Sequence, residues 1–346
     1  MEKLFFASDY MEGAHPKIME RLMETNLMKT PGYGTDAFCE SAREKIRTAC
    51  NAPEAEVYFL PGGTQTNAMI INYLLRPYQG VIAAVTGHIE GHEAGAIENG
   101  GHKIFCVPEC NGKLSAADVE KTAKKYYEDD NRDHMVMPGM VYISQPTESG
   151  TLYSLAELEA ISAVCKAYNM YLYADGARLA YALSCPTNDV TLQDMARLCD
   201  VFYIGGTKCG ALLGEGVVIP KPGIIPHFFT LMKQHGALMA KGRVMGIQFD
   251  TLFTDDLYFE IGRSAVSLAD KIRRKLQEKG LELCYGSPTN QVFVRLSDAM
   301  RAKLEEKVMV SFWEKPDDSH TVIRLATSWA TTEQDVEKLL QLIDEL

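Results

Sequence analysis

Three short stretches place a lysine, an aspartate and a glycine-rich turn each just past a run of strand-forming residues. In VFYIGGTKCGALLGEG (201–216), Lys208 stands among glycines and small residues that suggest closely packed backbone. A buried ammonium is costly and tends to lose its proton, and the free amine is the form that attacks a carbonyl. In MYLYADGARLAYAL (170–183), an apolar run ends in Asp175, with Gly176 and Arg178 following. Ligands of parallel α/β sheets collect at strand carboxyl ends, although an aspartate there also serves as an ordinary turn or helix cap. In FLPGGTQTNAMIINYLL (59–75), Gly62, Gly63 and Thr64 open a helix whose first N–H groups have no internal partner. That arrangement attracts phosphate; standing alone, it reads more simply as a plain strand-to-helix turn. It matches neither the P-loop nor the dinucleotide fingerprint, which disfavours ATP and NAD.

Taken together, a phosphate cradle, an acid and an amine are the three groups that pyridoxal 5′-phosphate requires. The phosphate needs donors, the pyridine nitrogen needs a carboxylate to keep it protonated, and the aldehyde needs a lysine. On this reading Lys208 is the cofactor lysine, Asp175 the acid, and Gly63 and Thr64 part of the cradle.

Other residues are candidates on weaker grounds. His88 and His92 are spaced i, i+4 beside Glu93 in TGHIEGHEAGAIENGGHK (86–103), yet no further ligand completes a metal site there. An imidazole stacked on a planar cofactor is the more economical use of His88, with a core or surface histidine as the competing reading. Arg324 lies inside the strand-like run TVIRLATSW (321–329), where an inward charge needs a partner: a substrate carboxylate or a structural salt bridge. Of Lys241 and Arg243 in ALMAKGRVMGIQ (237–248), one could reach the cofactor phosphate.

The elements that must position these groups alternate along the chain. Strands are expected at 57–60, 81–85, 103–107, 140–144, 170–174, 201–204 and 216–219, as short apolar runs suited to burial on both faces. Helices start at Ser115 and Ser154, each with an acid three residues on, as in a capping box. Alternation of this kind implies an α/β fold with a mostly parallel sheet flanked by helices. Past about residue 250 a long helix (256–280), two strands (290–296 and 321–327) and a closing helix from Thr332 suggest a smaller α+β domain. The expected division is therefore a large cofactor-binding domain with an N-terminal arm (1–250) and a small C-terminal domain (251–346).

Composition bounds the partners. The chain has 346 residues, 46% hydrophobic and 23% charged, as expected for a globular protein. A formal charge of −11 disfavours nucleic acid and anionic membrane, since both repel an acidic surface. No apolar run approaches the roughly 20 residues of a membrane helix, and the N-terminus does not read as a signal peptide. Nine cysteines without a CxxC pair suggest free thiols in a reducing, cytoplasmic setting.

The motifs FLPGGTQTNA, HIEGHEAGAIE, DGARLAYAL, GGTKCG and VIRLATSWATTEQDVEKLL resemble those of the low-specificity threonine aldolases. These are pyridoxal-phosphate enzymes of the aspartate-aminotransferase-like fold, related to the β-eliminating lyases, and the resemblance runs nearly the whole chain. It implies that Lys208 carries the cofactor, Asp175 pairs with the pyridine nitrogen, Gly63 and Thr64 cradle the phosphate, and His88 stacks on the ring. The substrate-carboxylate grip then falls on Ser8, Arg178 and Arg324. Tyr33 matches a segment lying near the active site across a dimer interface, which implies a homodimer or homotetramer. One departure stands out: where many relatives carry Thr-His-Asn, QPTESGTLY places Glu148 at the histidine that handles the substrate's β-hydroxyl. The implied reaction cleaves threonine, allo-threonine or a related β-hydroxy-α-amino acid to glycine and an aldehyde. β-Elimination or transamination with the same cofactor is the neighbouring alternative. A metal hydrolase using His88, His92 and Glu93 would leave Lys208 and Asp175 unexplained.

Overall fold

The computed structural model describes residues 3–346. Its strands are β1 (Leu4–Phe5), β2 (Glu56–Leu60), β3 (Gln79–Ala84), β4 (Ile104–Val107), β5 (Met137–Ser144), β6 (Tyr171–Asp175), β7 (Val201–Gly205), β8 (Glu215–Ile219), β9 (Glu282–Leu283), β10 (Gln291–Ser297), β11 (Val308–Met309), β12 (Ser311–Asp317) and β13 (His320–Ala326). The seven apolar runs anticipated in the first two-thirds of the chain form one sheet in the order β2-β8-β7-β6-β5-β3-β4. From β7 through β4 every neighbouring pair is parallel, while β8 lies antiparallel between β2 and β7.

Strand side chains alternate between two cores. Leu172 and Ala174 of β6 face one, with Val141, Ile143, Phe202 and Ile204; Tyr173 faces the other, with Tyr142 and Tyr203. That period of two sends Asp175 to the tyrosine side. The covering helices begin where their caps require: Ser115 and Thr332 accept the backbone N–H three residues on, and Ser154 with Glu157 forms a full capping box.

The smaller lobe has an antiparallel sheet, β12-β13-β10-β9, and a separate parallel pair, β1 with β11. The long helix Leu257–Glu278 belongs to both lobes. Its residues through Val266 join the large core, and those from Leu268 onward join the small one. The cores thus divide inside this helix rather than at the expected 250/251 boundary. Phe6, from the supposed arm of the large domain, packs in the smaller lobe's core because β1 pairs with β11. No helix among the described residues is long and apolar enough to cross a membrane.

Candidate active site

One edge of the large sheet collects the carboxyl ends of β2, β3, β5, β6 and β7. Because β8 runs the other way, its amino end joins them. A cleft of about 320 Å³ opens there, and Gly63, Thr64, His88, Asp175, Arg178 and Lys208 all line it. Two glycines permit the close packing around it. A Cβ on Gly176, just after Asp175, would sit 1.9 Å from the Tyr203 carbonyl oxygen. Gly214 has φ +101°, a backbone conformation that side chains resist.

Lys208 follows β7 and is held by its backbone, the Tyr181 hydroxyl donating to the Lys208 carbonyl. Its Nζ lies 5.8 Å from the centre of the Tyr10 ring. Burial, reinforced by the charge of Arg178, pushes its pKa down and favours the free amine. Asp175 is tied on both oxygens. Oδ1 accepts from the Tyr203 hydroxyl and the Ala177 N–H, and Oδ2 from Tyr142 at 2.8 Å and Asn67 at 3.0 Å. Burial opposes the carboxylate, but His88 and these donors outweigh it and hold the pKa below its ordinary value. A fixed anion therefore lines the cleft.

His88 begins a single helical turn after β3. Its Nδ1 lies 2.7 Å from Glu93 Oε1, which also accepts from Asn67 at 2.7 Å. Burial works against the imidazolium, yet the Glu93 bond and the Asp175 and Glu93 charges raise its pKa overall. The His92 ring is tilted 49° to it at 5.7 Å. Among the described residues no three His, Cys, Asp or Glu side chains are grouped to hold a metal.

The helix Gly63–Leu74 points its amino end at the cleft with Gly62 as its cap and no side chain closing that end. The Thr66 N–H bonds to Gly62 O at 3.0 Å, so the donors before it have no carbonyl one turn back. Uncapped donors, an ionised Asp175 and a neutral-prone Lys208 in one cleft fit pyridoxal phosphate.

The arginines divide. Arg178 lines the cleft but is engaged on one edge by Asp9. Arg324 donates to Gln291 Oε1 and to Ala7 O, both at 3.0 Å, and burial followed by the Arg178 charge lowers its pKa to about 10. Neither Arg324 nor Ser8 lines the cleft, and the Arg324 bond to Ala7 brings it to the residue before Ser8. The Ser8 hydroxyl and Arg324 Nε are each buried without a hydrogen-bond partner, and both are groups suited to a carboxylate. Arg243, a candidate for the phosphate, does not reach the cleft of its own chain. Its guanidinium donates to the Thr25 and Met28 carbonyls and lies over the Phe38 ring. Tyr33 also stands outside the cleft, with Lys233 Nζ 4.4 Å above its ring.

Glu148 does enter the cleft, from the turn after β5. Its Oε1 accepts the Ser144 hydroxyl at 2.6 Å and the His88 N–H at 2.9 Å. Burial raises its pKa. The motifs did not single out Asn67, the Tyr142–Tyr203 pair, Asp9 or Glu215. Asn67 was within reach, since it lies four residues after Gly63 and so on the same helix face.

The sequence matches the beta-eliminating lyase family over residues 6–312. A solved Leishmania major threonine aldolase superposes with a TM-score of 0.95 at 43% identity, covering 99% of this chain and 98% of its own. A Pseudomonas low-specificity L-threonine aldolase is 30% identical over 308 residues, 87% of either chain. A Thermus thermophilus aspartate aminotransferase shares the fold at a TM-score of 0.73 and 16% identity, over 99% of this chain and 91% of its own. The chain belongs to the beta-eliminating lyase family, alongside the low-specificity threonine aldolases, and has the aspartate aminotransferase fold.

Proposed function

We propose that the protein cleaves the Cα–Cβ bond of L-threonine, L-allo-threonine or a related β-hydroxy-α-amino acid, releasing glycine and an aldehyde. The observation that carries this is the meeting of Lys208, Asp175 and the open amino end of helix Gly63–Leu74 in one cleft, in a chain 43% identical to a threonine aldolase. When bound, pyridoxal phosphate supplies the sink for the electron pair released as the bond breaks.

The chain's own residues do the rest. Lys208 offers its amine uncharged because burial disfavours the ammonium. The N–H groups of Gly63 and Thr64, with the Thr64 hydroxyl, would hold the phosphate at the uncapped helix start. His88 is held in orientation by Glu93 and forms a wall of the cleft. Arg178 and Arg324, with Ser8, hold the substrate carboxylate, fixing which Cα bond is aligned for breaking. Glu148, steadied on one oxygen by Ser144 and the His88 N–H, takes the β-hydroxyl proton. A carboxylate whose pKa is raised toward neutrality suits that step, and general-base help is worth about 10²–10⁴ in rate. The proton removed at oxygen is balanced by the one delivered to Cα, so glycine and aldehyde account for every atom of the substrate.

The assembly we propose is a homodimer or homotetramer. Met23 and Leu27, 73% and 92% exposed at the end of helix Pro16–Thr25 and just beyond, form an apolar surface with Met19 and Met28. A cytoplasmic setting suits nine cysteines that are all free thiols. The deciding experiment supplies L-threonine and L-allo-threonine to cofactor-loaded protein and measures acetaldehyde and glycine. Equal yields of the two products support the proposal. A keto acid and ammonia, or the amine form of the cofactor, would replace it with elimination or transamination.

A further inference from the structure

Glu215 lines the cleft and is buried, yet none of the steps above uses it. Its Oε2 accepts the Gly206 N–H at 3.1 Å, and its Oε1 lies 3.0 Å from the Thr207 hydroxyl oxygen. It therefore grips the two residues immediately before Lys208. The Thr207 oxygen also accepts the Gly214 N–H at 2.8 Å, which closes the loop from which the lysine projects. We propose that Glu215 is a positioning residue for Lys208: it holds that loop in place and, by taking up or releasing a proton, sets the pH range over which the lysine works. This inference rests on the pyridoxal-phosphate reading and deepens it.

The charged groups around Lys208 come from several elements. Arg178, Asp175, Asp9 and Glu215 act on its charge, His88 faces it from the end of β3, and the Tyr10 ring lies nearby. Of its three carboxylates, Asp9 is committed to Arg178 and to Asn290, and Asp175 accepts four hydrogen bonds beside His88. Among the described residues, the Glu215 carboxylate has hydrogen bonds to Gly206 and Thr207 alone. It faces Asp175 and Lys208, while the Tyr203, Tyr173 and Tyr258 hydroxyls also feel its charge. Burial pushes its pKa up to about 8, against those two contacts and Lys208. It is thus the carboxyl of the three that can hold a proton at neutral pH. Protonated, it donates to the Thr207 oxygen and leaves Lys208 facing two anions. Ionised, it adds a third anion and strengthens the hold of Lys208 on its own proton, so the two groups titrate together.

The test follows the visible absorption of the lysine-bound cofactor against pH in the wild type and in Glu215→Gln. Glutamine mimics the neutral acid, its oxygen accepting from Gly206 and its NH₂ donating to Thr207. The expected wild-type curve has two coupled steps. The variant should bind cofactor as tightly and titrate in one step, with a midpoint about one unit below the wild-type upper step. A variant curve superimposing on the wild type overturns the inference, as does a folded variant that cannot retain cofactor, since the neutral isostere should suffice. Should the variant not fold, a wild-type curve fitting a single proton step overturns it and a two-step curve supports it. A wild type that takes up no pyridoxal phosphate overturns the functional reading as well, which separates the two failures.

Discussion

Asp9 and Arg178 form a side-on, two-point ion pair: Arg178 Nε donates to Asp9 Oδ2 at 2.6 Å and Nη2 to Oδ1 at 2.9 Å, with the carboxylate wholly buried. Asn290 donates to the same carboxylate at 2.9 Å, so the N-terminal segment, the turn after β6 and the smaller lobe meet at one anion. Asp9 occupies only the Nε edge of the guanidinium and so orients the remaining edge. Removing one partner of a buried pair leaves the other charge uncompensated, at a cost of about 3–5 kcal/mol. Asp9→Asn should lower the denaturant midpoint accordingly and raise KM for the amino acid. Unchanged values for both would mean that the pair neither stabilises nor positions.

The same pair predicts acid sensitivity. Burial opposes the Asp9 carboxylate, but Arg178 holds its pKa far below the ordinary 3.8. The unfolded chain then takes up a proton before the folded one does, so stability is complete above about pH 4–5 and is lost as pH falls. Urea midpoints measured from pH 6 to pH 3 should decline for the wild type, and less steeply for Asp9→Asn. Parallel declines would remove Asp9 as a cause.

Much of this architecture can be read locally. Strand runs, the Ser154–Glu157 capping box and the positions of Lys208 and Asp175 at strand ends depend on neighbours in sequence. Glu215 escaped because local pattern carries no strand direction. Its acid stands at the start of β8, and only the antiparallel placement between β2 and β7 brings that start to the ligand edge. Arg243 shows the opposite limit: its sequence suggested an available cation, whereas within its own chain the Thr25 and Met28 carbonyls take its donors outside the cleft. The partners of Asp175 come from Asn67, Tyr142 and Tyr203, whose meeting depends on strand order.

Lys208→Ala should abolish covalent capture of pyridoxal phosphate, leaving no visible band that survives dialysis and no lysine adduct after borohydride reduction. Turnover should fall to background, because among the described residues no other amine lines the cleft. A variant that keeps the adduct at another lysine would move the assignment there.

Glu148→Gln keeps the shape of the side chain and removes the base. The cofactor band and KM should change little, while kcat falls by about 10²–10⁴. Burial raises the Glu148 pKa, and the ionised form is the one that accepts the hydroxyl proton. Wild-type kcat should therefore drop as pH falls through that raised value, and this limb should vanish from the residual activity of the variant. Full activity in the variant would return the role to another group, with His88 next in line.

Gly176→Ala probes the scaffold that holds the acid. The new Cβ would meet the Tyr203 carbonyl oxygen at 1.9 Å and the carbonyl carbon at 3.1 Å, both backbone atoms of the neighbouring strand. Neither side can yield without separating β6 from β7, the strands that present Asp175 and Lys208. Overpacking of this kind costs about 1–3 kcal/mol. The displaced Asp175 should also weaken cofactor retention more than the loss of stability alone would, because the Tyr203 hydroxyl bond to the carboxylate spans that same gap. Thermal unfolding with and without excess pyridoxal phosphate separates the two effects. A lowered melting temperature whose cofactor-induced rise equals that of the wild type would show that the glycine serves packing alone.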